Sequence, residues 1–298
     1  MSLGSKTRPP CVAGQFYPSD RDELFELIHR SFTDPIGPGK FPSKSANERK
    51  IGKVESLLVP HAGYIYSGPV AAHSYDVVHD FFQLFKSESR IVVIILGPNH
   101  YGIGSGVALS GSDSWETPIG KVKVDLELAK QLVDRSSIID LDDVAHSREH
   151  SIEVQIPFLQ AMAGSLIEKI SILPICMMLQ DFETATEVGN ELFALIHEVD
   201  LPSIVLGSSD LTHYEPHKRA FEKDSKLLKE VEKVDIPAFY TVIEKLNLSA
   251  CGYGAIAATM QVSKRLGKTK GEILKYATSG DTSGDKSSVV GYASVHFD

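Results

Sequence analysis

Three apolar runs in this chain end on residues that can hold a metal or move a proton. "LLVPHAGYIYSG" closes on His61, "IVVIILGPNHYG" on Asn99 and His100, and "SIVLGSSDLTHY" on Asp210 and His213. Neutral imidazole is the commonest protein ligand for metals, and two histidines with one anionic group make a usual ligand set. One histidine at a strand end is ordinarily a satisfied turn residue. Three polar strand ends of the same chemistry point to one shared site, because ligands collect beyond the carboxyl ends of strands in open α/β sheets. A third ligand is available in Cys251, at the head of "CGYGAIAATM". A thiol at a helix start is drawn towards thiolate by the exposed N–H groups there.

Two further motifs bear on this reading. "HSREH", from His146 to His150, spells H-x-x-E-H, the ligand pattern of inverted zinc proteases. That pattern needs both histidines on one helix face, yet apolar helical spacing begins only at Ile152. Glu149, His150, Ser151 and Glu153 read as a helix cap and polar first turn, from which Glu149 or His150 can still reach the shared site. "ATSGDTSGDKSSVVGYA", residues 277–293, has no G-K-[ST] and reads as a turn between strands that rims the pocket, with no helix starting in it. His73, His79, His197, His217 and His296 read as surface or capping residues.

The elements that must position these groups alternate. Short β-branched runs predict strands at 56–59, 91–96, 107–109, 122–124, 170–175, 203–206, 273–278 and 289–295. Several are apolar throughout, the pattern of strands covered on both faces. Helical spacing falls at 20–31, 70–85, 126–135, 151–163, 184–198, 217–233, 237–245 and 252–266. A layered α/β fold follows, with a central sheet that is largely parallel or mixed. Residues 34–50, rich in Pro, Gly, Ser and charge, read as a loop.

Composition narrows the function classes. With 298 residues, 42% hydrophobic and 23% charged, the chain is an ordinary globular one. Its net charge of −9 and lack of a basic block argue against nucleic acid as partner. No apolar run approaches a membrane span, and the first residues have no signal-peptide core. Residues 1–7 are expected to be a disordered terminus or a cloning remnant. Cys11, Cys176 and Cys251 form no disulfide framework, so a reducing cytoplasmic setting is expected.

The segments "AGQFYP", "PHAGYIYSGPVAAHSY", "ILGPNHYG", "WETPIGKVKVD", "EHSIEVQIPFL", "SSDLTHY", "CGYGAIAATM" and "SGDKSSVVGYA" resemble the Memo-like family in order along nearly the whole chain. The resemblance implies a single three-layer α/β/α domain over residues 8–298, similar to class III extradiol dioxygenases, which are non-haem iron enzymes. It places the metal ligands on His61, His100 and Cys251, with iron as the metal and copper or zinc as alternatives. It places the acid/base role on His213, with Asp210 beside it. The dioxygenases use a carboxylate where this chain has a cysteine. A thiolate is softer and oxidises readily, which points away from ring cleavage and towards other redox chemistry.

The expected function is a metal-dependent, O₂-linked or other redox reaction on a small molecule. Two alternatives stand beside it. One is a non-catalytic module that binds a peptide in a vestigial pocket. The other is a hydrolase using metal-activated water, or Cys251 as nucleophile with His213 as base. The oligomeric state is left open.

Overall fold

A computed structural model describes residues 6–43 and 49–298. Among the described residues the strands are β1 (Thr7–Arg8), β2 (Val54–Val59), β3 (Ile91–Pro98), β4 (Val107–Leu109), β5 (Ser114–Thr117), β6 (Gly120–Val124), β7 (Ile139–Leu141), β8 (Ile170–Met177), β9 (Ser203–Ser208), β10 (His213–Glu215), β11 (Gly271–Thr278) and β12 (Val289–Phe297). The α-helices are α1 (Arg21–Thr33), α2 (Tyr64–Leu84), α3 (Leu126–Arg135), α4 (Asp143–His146), α5 (Gln155–Ala163), α6 (Phe182–Val199), α7 (His217–Glu232), α8 (Ile236–Leu246), α9 (Tyr253–Arg265) and α10 (Ser279–Ser283).

The strands form one mixed sheet in the order β1-β5-β6-β8-β3-β9-β2-β12-β10. Its centre, β6-β8-β3-β9-β2, is parallel. β12 closes the far side antiparallel to β2, and pairs with β11 and β10. β9 therefore sits between β3 and β2, and all three present their carboxyl ends along one edge.

Alternation along these strands feeds two cores. Ile91, Val93 and Ile95 of β3 pack with Leu24, Ile28, Tyr75 and Phe158 of α1, α2 and α5. Val92, Ile94 and Leu96 face the other way, with Leu132, Leu192, Leu227, Phe239 and Ala258 of α3, α6, α7, α8 and α9. The result is a three-layer α/β/α fold. Its central strands are apolar on both faces because both faces are covered.

All eight expected strands are present, and so are the eight expected helices, with some shifted ends. The short strands β1, β5, β7 and β10 and the short helices α4 and α10 were not foreseen. α2 begins at Tyr64, six residues before the expected start, and holds Pro69 inside it. A Cβ at Gly68, two residues before the expected start, would meet Ser31 Oγ of α1 at 2.5 Å. Close packing of two helices, rather than a turn, requires that glycine. α5 begins at Gln155, and residues 151–154 form a turn. α10 lies within residues 277–293, where no helix was expected; Thr278 and Asp281 cap it reciprocally.

The start of the folded chain also moves. Lys6 N–H donates to Asp113 Oδ2 at 2.5 Å and Thr7 pairs with Ser114, so residues 6 and 7, expected to precede the domain, are tied into the sheet. Residues 1–5, and 44–48 of the expected loop, lie outside the described residues. Residues 34–43 form turns and bends, in keeping with a loop. His79 and His296 are buried rather than on the surface; His296 Nε2 lies 2.8 Å from Glu55 Oε2.

Candidate metal centre

His61 follows β2, His100 follows β3, Asp210 follows β9, and Cys251 stands just before α9, which packs across these strands. Because β3, β9 and β2 are adjacent and parallel, the three strand ends meet. One ligand atom from each of His61, His100 and Cys251 lies within 4.8 Å of the others. Glycine permits two of the approaches. A Cβ at Gly97 would meet Ser151 Oγ at 2.6 Å, so this glycine seats the Glu149–Ile152 segment against β3. A Cβ at Gly252 would meet the Ser208 carbonyl at 2.5 Å, so this one seats Cys251 against the end of β9.

The tautomer of His61 follows from hydrogen-bond accounting. Ser208 Oγ donates its one proton to the Ser151 carbonyl at 2.7 Å and accepts from Gln155 Nε2 at 2.9 Å. His61 Nδ1, 3.0 Å from the same Oγ, must therefore be the donor. Gln155 is itself fixed, since its Nε2 also donates to the Pro60 carbonyl and its Oε1 accepts from Tyr75. Nε2 of His61 is left with a lone pair, 3.0 Å from Cys251 Sγ.

His100 is held the same way by a carboxylate. Its Nδ1 donates to Glu149 Oε1 at 2.8 Å and its backbone N–H to Oε2 at 2.6 Å. Nε2 is again the free nitrogen. This is the arrangement in which an outer carboxylate or hydroxyl orients a ligating imidazole. Burial would raise Glu149, but the His100 hydrogen bond and charge outweigh it and hold the carboxyl at about 2. Burial holds His61 well below the usual imidazole range, and His150, His100 and His213 push the same way. It likewise lowers His150 to about 4. The three rings of His61, His100 and His150 stand within 5.5 Å of one another, centre to centre.

Cys251 Sγ accepts the Asp210 N–H at 3.3 Å. Burial, then the Asp210 carboxylate, push its thiol pKa up. Asp210 Oδ1 accepts the His61 N–H at 2.8 Å, so it clamps the β2–α2 turn to the end of β9. Burial raises Asp210 to about 6. His213 Nδ1 lies 2.7 Å from the Leu211 carbonyl, and a carbonyl only accepts, so Nδ1 carries the proton and donates it.

The zincin pattern fails in space. α4 ends at His146, whose Nε2 is committed to the Ala108 carbonyl at 3.0 Å. His100, Glu149 and His150 also cluster tightly enough to hold an ion. Glu149, however, already accepts four N–H groups, from His100 twice, His150 and Ser151. Glu149 is thus an orienting group. Ser208, Gln155 and Tyr75 were missed altogether, because nothing local in the sequence ties them to a histidine nearly 150 residues from Ser208.

A family model described as Memo-like protein matches residues 8–296. The chain belongs to the Memo-like family. It is 45% identical to a MEMO1 family protein of Methanopyrus kandleri over 97% of this chain and 98% of that one. It is also 45% identical to one of Methanocaldococcus jannaschii, over 98% and 99%. A MEMO1 family protein of Sulfolobus acidocaldarius is 46% identical over 97% and 99%. A crystal structure of an uncharacterized protein from Escherichia coli K12 superposes with a TM-score of 0.53 at 15% identity, covering 82% of this chain and 99% of that one. That likeness is one of fold. In this Memo-like chain, two imidazole nitrogens stripped of protons by their protein partners, together with one thiol, form a donor set that fits a metal ion.

Proposed function

We propose that His61, His100 and Cys251 bind iron, with copper or zinc as the alternatives, for an O₂-dependent or other redox reaction on a small molecule. The observation that carries this is the paired commitment of both Nδ1 atoms, which leaves both Nε2 lone pairs available, that of His61 3.0 Å from Cys251 Sγ, in a group whose ligand atoms lie within 4.8 Å of one another. When bound, the ion would supply Lewis-acid and electron-transfer chemistry, on a scaffold similar to extradiol dioxygenases. His213 is the general acid/base: its Nδ1–H is fixed on a carbonyl and Nε2 is left to exchange a proton. Asp210 holds His61 in place beside it.

The ligand is a small molecule or peptide with apolar or aromatic parts. Ile65, Tyr66, Tyr101, Met178, Leu179 and Tyr214 (79% exposed) follow the carboxyl ends of β2, β3, β8 and β9 and stand in solvent. Exposed apolar and aromatic groups at these strand ends suit recognition of apolar surface. It also supports the second reading, a module that binds a peptide without turnover. A Cys251 nucleophile is less well supported. The imidazole in reach of Sγ is His61, and burial drives both members of that pair towards their neutral forms, the reverse of a thiolate–imidazolium couple. Among the described residues no helix is long and apolar enough to cross a membrane. The three cysteines are free thiols, which suits a cytoplasmic setting.

The test is an anaerobic titration of tag-free, metal-stripped protein with Fe²⁺, followed by metal analysis. Wild type should retain one ion, and the His61→Ala/His100→Ala double variant should retain none at the same free metal. Equal content in the two would overturn the proposal.

A further inference from the structure

Away from the strand ends, a cavity of about 530 Å³ opens between α6, α8 and α9. Three of its walls are aromatic. The Tyr240 ring stands 5.7 Å from Phe182 at 81° and 6.0 Å from Tyr253 at 87°, so successive planes are near-perpendicular. Tyr240 Oη donates to the Gln180 carbonyl at 2.7 Å, which fixes the ring. The same Gln180 spans the start of α9, donating to the Cys251 carbonyl and accepting from Gly254 N–H. Asp181, Glu183 and Glu244 share the rest of the lining with Pro237 and Ile243, and among the described residues it includes no lysine or arginine.

The charge balance selects the sign of the occupant. The N-termini of α6 and α9 meet here and contribute roughly half a positive charge each. Asp181 already caps α6 through Thr184 N–H at 2.9 Å, and Glu183 lies in that helix's first turn. Three full negative charges against about one positive leave the cavity anionic. Aromatic rings set near-perpendicular to one another, with carboxylates in the same lining, make an environment in which ring quadrupoles attract a bulky, weakly hydrated cation. A cavity of this size is also within the usual range for small ligands.

We propose that this cavity binds a small quaternary ammonium compound, its methyl groups against Phe182, Tyr240 and Tyr253 and its charge balanced by Glu183 and Glu244. The site neither uses nor requires the metal centre.

The test is ligand-observed NMR on the full chain with choline and with its uncharged isostere, 3,3-dimethylbutan-1-ol. Choline should bind at least about tenfold more tightly than the isostere, because shape is shared and only charge differs. Tyr253→Leu and the exposed pair Glu183→Gln/Glu244→Gln should each weaken choline severalfold. Tyr240→Phe keeps the ring and should retain binding. Equal binding of choline and isostere, no choline binding up to about 100 mM, or an unchanged affinity in the charge variant would each overturn the proposal. The charge variant alters only exposed side chains, so the test survives a failure of Tyr253→Leu to fold.

Discussion

Two polar clusters meet on one short segment, and they differ in one respect. Glu149 serves the strand-end site, and Glu153, four residues on, serves a second cluster with its own cysteine. Glu153 Oε1 accepts from Val12 N–H at 3.0 Å and Tyr17 Oη at 2.7 Å; Oε2 accepts from Arg8 Nη1 at 2.6 Å and from Cys11. Arg8 spends its other N–H groups on the His146 and Glu149 carbonyls and lies 4.1 Å over Trp115. Both residues are buried. This cluster is closed, with donors and acceptors matched inside the protein. At the strand ends the matching stops at the two Nδ1 atoms, leaving two Nε2 lone pairs uncommitted among the described residues, that of His61 3.0 Å from the Cys251 sulfur. Burial, charge and a nearby thiol are common to both clusters. Unfilled ligand positions belong to one, and they separate a site for an ion from a piece of architecture.

The strongest way to break this comparison is Arg8→Met. Removing one member of a buried, hydrogen-bonded ion pair should cost about 3–5 kcal/mol, because Glu153 is left charged without its partner. Urea unfolding of metal-free protein measures it. Cys251→Ala in the same assay should cost under about 1 kcal/mol, since its sulfur makes only weak hydrogen bonds in the absence of metal. Comparable losses for the two variants would show that the strand-end group is as structural as the other cluster.

Smaller effects sharpen the site itself. Glu149→Gln removes the carboxylate that orients His100, and should weaken metal binding about 10- to 100-fold. Ser208→Ala removes the hydroxyl that accepts His61 Nδ1–H and should weaken metal binding by about tenfold, the lower end of that range. Competition titrations against a chelator of known affinity read both. If the affinity moves in neither variant, the tautomers are not what presents the ligands.

Much of this was legible in the sequence, for particular physical reasons. β3 reads as a strand because residues 91–96 are all Ile, Val or Leu, and it is covered on both faces as that pattern implies. Adjacency of β3, β9 and β2 was not legible, since periodicity says where a strand is and not which strand lies beside it. His61, His100 and Cys251 were found through their strand-end and helix-start settings and through family resemblance. Glu149 was read as a helix-cap residue within reach of the shared site, but its role on His100 was not legible, because that partner is 49 residues away. Ser208 and Gln155 carry no mark, because an orienting hydroxyl or amide differs from any other until its partner is in view. Cys11 shows the converse: it packs against a carboxylate in a closed cluster, a setting that its sequence neighbours do not announce.

The smallest expected effect is a pH dependence that reports on the closed cluster alone. Burial would raise Glu153, but the Arg8 charge and the Cys11 and Tyr17 hydrogen bonds bring it below its ordinary value. A carboxyl lowered on folding contributes stability that is present above its unfolded pKa and is lost as pH falls through the folded one. In Arg8→Met the burial remains and the cation is gone, so Glu153 should shift upward instead. Protonation then favours the folded variant, and its stability relative to wild type should improve as pH falls through that raised value. The difference in unfolding free energy between wild type and Arg8→Met should therefore narrow between pH 7 and pH 4, by about 1 kcal/mol, since one pKa unit is worth about 1.4 kcal/mol. Groups common to both proteins cancel in the difference, and a chelator removes any metal linkage at the strand ends. A gap that stays constant across this range would mean that Glu153 is not held charged by Arg8. The contrast between a cluster closed on itself and one left open for an ion would then lose its reference.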